Sequence, residues 1–246
     1  MVHNPPLLII NSGPLIKPNR ISTINIPLND GSQYIFQSGT VRINENREEE
    51  YWGLDAANNS ISIFNLSAKI LTKKIEIYQS GPKAIKNILN FHVHTADSIF
   101  IFPANTGRIY LIDSNAEIID KWNYGSLSLP NGEDLSVNFP FPMAELGTHF
   151  YYRKDKDYVT LPLWLSGSGD FYKVPPLIHY DLKNNSVVNN FGEYPDNYNG
   201  KEVLIRDHFN LVHLENGEVL ISFEESHFIQ KYSPKGEYIE QFFSEK

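Results

Sequence analysis

Short apolar runs separated by clusters of turn formers recur most clearly between residues 91 and 124, FHVHTADSIFIFPANTGRIYLIDSNAEIIDKWNY. Successive side chains on a strand point to opposite faces, so a short run rich in β-branched and aromatic residues between clusters of turn formers reads as a strand. The pattern predicts four strands, at 91–95, 98–104, 107–113 and 117–124. In the second of them Phe100 and Phe102 fall on one face, Ile99 and Ile101 on the other. A meander that is apolar on both faces has to be covered on both, and further copies of itself are the natural cover.

Such copies can be aligned along the chain. The third strand, its turn and the start of the fourth recur as SIFNLSAKIL, YLIDSNAEII, IHYDLKNNSVV and QKYSPKGEYI. Each carries a turn initiator, Asn65, Asp113, Asp181 or Ser233, whose side chain can bond backbone two residues on. Trp122, Phe191 and Phe242 stand four residues past the first apolar position of the fourth strand, counted from Ile118, Val187 and Tyr238. The first copy has Lys74 there and Ile75 one place later, which predicts a one-residue bulge in that copy. The first two strands recur as FHVHTADSIFIF, HFYYRKDKDYVTLPLW and FNLVHLENGEVLISF, and Glu-Asn-Gly at 215–217 is the strongest single hairpin signal.

The four initiators are 48, 68 and 52 residues apart, close to the blade length of β-propellers, with extra residues at 125–147 and 166–175 filling the long interval. The expected architecture is therefore all-β, a β-propeller of four-stranded antiparallel blades at about 34–78, 89–124, 148–192 and 208–243. A lead-in strand at 20–28 precedes them, and the whole of 1–246 is expected to form one domain. A sandwich or a closed barrel is the competing arrangement of the same strands.

Charge and cysteine content narrow the function classes. Twenty-one Lys and Arg against 29 Asp and Glu give a net charge of −8, and no basic run exceeds a dipeptide, so no nucleic-acid partner is expected. The absence of cysteine excludes disulfides, zinc–thiolate sites and thiol catalysis. No apolar run approaches the length of a membrane span, so no transmembrane segment is expected.

Candidate chemistry is sparse. His92 and His94, two apart on a strand, present both rings to one face as two metal ligands do, although packed, hydrogen-bonded strand histidines are the commoner case. Asp155 and Asp157 alternate like the start of a calcium loop, but no glycine turn or later glutamate completes it, and a solvated hairpin tip is the simpler reading. Gly167 and Gly169 form a bare G-x-G that neither follows a strand nor opens a helix. Neither a G-x-S-x-G, a P-loop nor an H-E-x-x-H occurs. The most function-like regions are the insertions at 125–147, LWLSGSGDFYKVPP and GEYPDNYNGKE, since loops on a rigid scaffold carry binding surfaces. Trp164, Phe171, Tyr172, Tyr194 and Tyr198, together with Trp52, are candidates for an aromatic platform that takes a sugar or a peptide, against the alternative that some of them close the core beneath the loops.

The runs YWGLDAANNSISIFNL, IEIYQSGPKAI, FHVHTADSIFIFPANTGRIYLID and IIDKW resemble the Bacteroidetes propeller-like proteins grouped as domain of unknown function 4221, related to the wider TolB-like propellers. The resemblance is specific over about residues 51–122. It implies a six-bladed propeller, usually an exported lipoprotein of the periplasm or outer membrane, with no established activity. Two departures stand out: there is no anchoring cysteine, and four blades rather than six are recognisable. A lipid anchor is thus expected of the native precursor only. The expected function is a non-enzymatic extracytoplasmic binding or scaffold propeller that recognises a protein or glycan through the loops of blades three and four, without a cofactor. The alternative is a metal-dependent propeller hydrolase with its site over the central channel.

Overall fold

In the computed structural model of the chain, residues 25–26, 36, 38–104, 106–123, 151–153, 158–162, 175–195, 209–214, 216–223 and 226–243 are described. Among them are sixteen strands and no helix. The first sheet is β1 (Ser38–Ile43), β2 (Glu49–Asp55), β3 (Ser60–Asn65) and β4 (Ile70–Glu76). The second is β5 (Ile88–Thr95), β6 (Ser98–Pro103), β7 (Arg108–Ile112) and β8 (Ile118–Asn123). The third is β9 (Tyr151–Arg153), β10 (Tyr158–Pro162), β11 (Leu177–Asp181) and β12 (Ser186–Phe191), and the fourth β13 (Phe209–His213), β14 (Val219–Phe223), β15 (Phe228–Tyr232) and β16 (Tyr238–Phe243). Each sheet pairs its strands in sequence order and antiparallel, the four-stranded meander of a propeller blade. The chain divides into two compact units, one carrying β1–β8 and the other β9–β16.

In the first unit the core lies between the first two sheets. Trp52, Leu54, Ile61, Ile63 and Ile75 form one cluster with Ile88, Phe91, Ile99 and Ile101. Phe100 and Phe102 are as deeply buried, each 1% exposed, but on the other face of β6, where the Phe100 ring meets Trp122 at 6.1 Å. Each such side chain removed from water contributes about 1.5–3 kcal/mol, and β6 is accordingly apolar from Ile99 onward. The link from β4 to β5 turns at Gly81, whose φ of +85° suits a residue without Cβ, and Ala84 N–H donates to Gly81 O at 3.1 Å. Asn59, in the β2–β3 turn at φ +51°, clips this link down: its Nδ2 donates to Ile77 O at 2.9 Å and Ile85 O at 2.8 Å.

In the second unit Leu177, Phe191 and Tyr194 of the third blade pack with Phe209, Leu211, Ile221 and Phe223 of the fourth. Polar contacts reinforce that packing. Tyr158 donates its hydroxyl to Pro234 O at 2.6 Å, Asn189 Nδ2 donates to Lys235 O at 2.6 Å, and the Tyr151 and His213 rings stack at 4.2 Å.

The outer strands correct one expectation. A bulge occurs in the first copy, but the same register shift occurs in all four: Ile63 pairs Lys73 and Phe64 pairs Leu71, Leu111 pairs Asp120 and Ile112 pairs Ile118, with equivalent skips after His179 and Lys231. The skipped residues are Thr72, Ile119, Val188 and Ile239, and Ile75, Trp122, Phe191 and Phe242 each follow three places later. The offset of the first copy therefore comes from Ile70, an apolar residue at the register position that Ser186 fills in the third copy, which moves the count one place back. Of the predicted lead-in strand only Asn25 and Ile26 are described, and neither is in a strand. The insertion at 125–147 lies outside the described residues.

Candidate functional site

The initiators do what their chemistry predicts. Asp113 Oδ1 accepts from Asn115 N at 2.8 Å and Glu117 N at 2.9 Å, and Ser233 Oγ accepts from Lys235 N and Glu237 N. Asn65 Oδ1 accepts from Ala68 N, and Asp181 Oδ1 from Asn184 N. The carboxylates are spent on these turns. Amide donors, that of Glu117 first, hold Asp113 below the usual carboxylate range. Burial pushes Asp181 up, but bonds from Asn184 and Lys183 outweigh it and leave it lowered.

The β1–β2 hairpin uses the same device. Asn44 Oδ1 accepts from Asn46 N and Glu48 N, both at 2.9 Å, and Arg47 takes φ +64°. This turn forms one wall of a cleft of about 430 Å³ within the first unit, whose other parts come from β2, β4 and the β5–β6 and β7–β8 turns at Ala96, Asp97 and Ser114. That volume falls in the range of small-molecule sites, about 300–1,000 Å³. Trp52 stands in its floor, 2% exposed, with the Arg42 guanidinium carbon 5.6 Å from the ring centre. Trp52 Nε1 donates to Glu50 Oε2 at 2.9 Å, and Asn44 Nδ2 donates to Glu50 Oε1 at 2.9 Å. Both oxygens of Glu50 are thereby committed, although register sets Glu50 directly opposite Arg42. Arg42 Nη1 is covered and has no hydrogen-bond partner among the described residues. Lys73, Glu45 and Asp97 supply the remaining charges of the cleft. It offers a half-buried cation beside several acceptors, an arrangement suited to holding a polar ligand.

The residues singled out in the sequence are not assembled here. Trp164, Phe171, Tyr172, Tyr198, Asp155, Asp157, Gly167 and Gly169 lie outside the described residues. Tyr194 is 8% exposed and packs in the core, its ring 5.1 Å from Phe223. Trp52 is likewise a core residue, on β2 rather than at a loop tip. His92 and His94 are half-buried on β5, with the His92 ring 6.4 Å from Phe100. Val93 pairs Ile99 and Thr95 pairs Ser98, so the register skips His94 and the regular alternation that aligns the two rings is broken between them. Among the described residues no group of three or more His, Asp or Glu is placed to hold a metal ion, and no helix is long and apolar enough to cross a membrane. Arg42 and Glu50 escaped notice in the sequence. Their only signal there is two opposite charges on facing strands next to a tryptophan.

Comparison with known proteins adds a family. The model of the domain of unknown function DUF4221 matches residues 20–240. Among solved structures the chain is similar to a member of the DUF4221 family from Bacteroides vulgatus, with 16% identity and a TM-score of 0.71 over 90% of this chain and 61% of that one. The chain thus spans less than two thirds of that relative. Looser likenesses are to a protein of unknown function from Bacteroides caccae (13% identity, TM-score 0.43, 83% of this chain and 66% of that one) and to virginiamycin B lyase from Staphylococcus aureus (12%, 0.43, 82% and 54%). No curated protein matches the chain.

Proposed function

Starting from the fact that the chain belongs to the DUF4221 family, we propose that it is a non-enzymatic binding propeller that recognises a glycan or a protein outside the cytoplasm. One observation supports this reading: the cleft of the first unit holds Arg42, which has no ion-pair partner among the described residues, while each oxygen of the carboxylate opposite it accepts a bond from Trp52 or Asn44. A guanidinium set among several acceptors favours holding a polar ligand. The loops of blades three and four, with Trp164, Phe171, Tyr172 and Tyr198, form a second contact region in this reading, supported by their composition.

The resemblance adds that the intact propeller has six blades and that a lipid anchor holds the native precursor. Binding is tested by presenting the full chain to arrays of glycans and bacterial surface proteins. Reproducible capture by one class of ligand, weakened on deleting residues 166–173, is expected. Capture that survives this deletion unchanged removes the loops from the proposal, and no capture by either array removes the proposal itself. Fractionation of the source cells that finds the protein wholly in the cytosol overturns its extracytoplasmic part.

A further inference from the structure

The cleft between the first two sheets is more selective than a general polar groove. Arg42 is held on three counts: β1 fixes its backbone, the Trp52 ring supports its guanidinium, and Glu50, the counter-ion that register puts opposite, is turned away to Trp52 and Asn44. Arg42 lines the cleft with no ion-pair partner among the described residues, and an incoming anion supplies one to the part of the guanidinium that stays open. The planar fork of arginine matches a carboxylate better than it matches a point charge.

The rest of the cleft defines the body of the ligand. It carries the cations Arg42 and Lys73 against the carboxylates of Glu45, Glu50 and Asp97, so a polyanion meets repulsion while a singly charged anion is tolerated. Asp97, Glu45, Asn46 and Ser114 add acceptors and hydroxyl or amide donors at the mouth, the complement of a molecule with several hydroxyl groups. The Trp52 face is already taken by Arg42, so recognition here runs through polar groups and not through ring stacking.

From these features we propose that the cleft binds an acidic sugar of the uronic-acid class, its carboxylate paired with Arg42 and its hydroxyls bonded to Asp97 and the neighbouring polar side chains. This rests on the binding reading above and names the ligand class for one part of it.

The test is calorimetric titration of the full chain with galacturonic acid, which carries a single carboxylate, its methyl ester, an oligo-glutamate peptide and inorganic phosphate. The free acid is expected to bind, with the methyl ester at least ~10-fold weaker, since esterification removes the charge while keeping every ring hydroxyl. R42Q is expected to weaken the acid by ~10-fold or more, and R42K to recover part of that loss, because it restores the charge without the fork. Asp97→Asn, on an exposed turn, reports on the hydroxyl contacts if R42Q fails to fold; a drop in affinity for the acid supports the proposal, and no change counts against it. Equal binding of acid and ester, binding confined to peptide or phosphate, or failure of the acid to bind at millimolar concentration overturns it. If the arrays capture a ligand and R42Q captures it equally well, the acidic-sugar assignment falls while the binding function stands.

Discussion

At the scale of the residue, Asn59 shows how much a single side chain holds. It is 3% exposed, and besides its two side-chain bonds its carbonyl accepts from Ile77 N at 2.9 Å. Asparagine is among the few residues besides glycine that adopt φ near +51° at small cost, so backbone and side chain both call for it. Asn59→Ala removes two buried hydrogen bonds, leaves two carbonyls bare and strains the turn, and is expected to destabilise by about 3 kcal/mol. Asn59→Asp is expected to do worse at neutral pH, since it sets a carboxylate against the carbonyls of Ile77 and Ile85. Urea denaturation, read as the shift in midpoint at unchanged slope, checks both variants. Nothing in the string AANNS separates this Asn from its neighbour Asn58, which bonds Asp55 within the same turn. The difference lies in what arrives from the β4–β5 link.

At the scale of the element, the outer strand of every blade carries one residue too many, and that residue decides which side chains face inward. Ile119, Val188 and Ile239 at the bulge are 55%, 52% and 42% exposed, while Phe191, three places after Val188, is 4% exposed. A bulge on an edge strand also increases its twist and discourages pairing with another chain. Val188→Thr is therefore expected to change stability by no more than about 0.5 kcal/mol, and Phe191→Ala to cost about 3–5 kcal/mol. Deleting Val188 is expected to cost more than any substitution there, because a one-residue slip turns half of the strand over. Guanidinium denaturation of the three variants separates these outcomes. The bulge was not legible: the irregularity at Ile75 traces to Ile70, and a feature shared by all four blades leaves no misfit when the copies are aligned.

At the scale of the whole molecule, pH dependence gathers the turns into one measurement. Asp113, Asp181 and Glu218 all have folded pKa values below their ordinary ones; Glu218 owes this to the Asn216 side chain and then to Lys231, 2.9 Å away. A carboxyl lowered on folding contributes stability that is present above its unfolded pKa, about 4, and is lost as pH falls through the folded value. Tyrosines act at the other end. Burial, with Asp181 adding, pushes Tyr180 up to about 12, and burial raises Tyr232 as well. Their contribution is present below about pH 10 and disappears as pH rises through the folded values. Melting temperatures by calorimetry are expected to be level from about pH 5 to 9 and to fall on both sides. Asp113→Asn keeps the acceptor that Asn44 and Asn65 use in equivalent turns, so it is expected to preserve neutral-pH stability and to flatten the acid limb. An acid limb as steep as that of the unaltered protein rejects that account.

Strand order, blade count and turn chemistry could be read from the chain because they depend on neighbours in sequence: a period of two along each strand and an Asn, Asp or Ser reaching backbone two to four residues on. The order β5-β6-β7-β8 and the bonds made by Asp113 and Ser233 follow from that local information. The site was not legible in the same way. Tyr194 and Trp52 look alike in sequence to platform aromatics, yet both are buried, since an aromatic ring next to turn formers serves a core as readily as a surface. Arg42 became a candidate only when folding set it on Trp52 and gave its facing carboxylate to other donors. That outcome depends on how β1, β2 and the turns at Ala96 and Ser114 converge, a competition among distant groups for a few hydrogen bonds that no local pattern records.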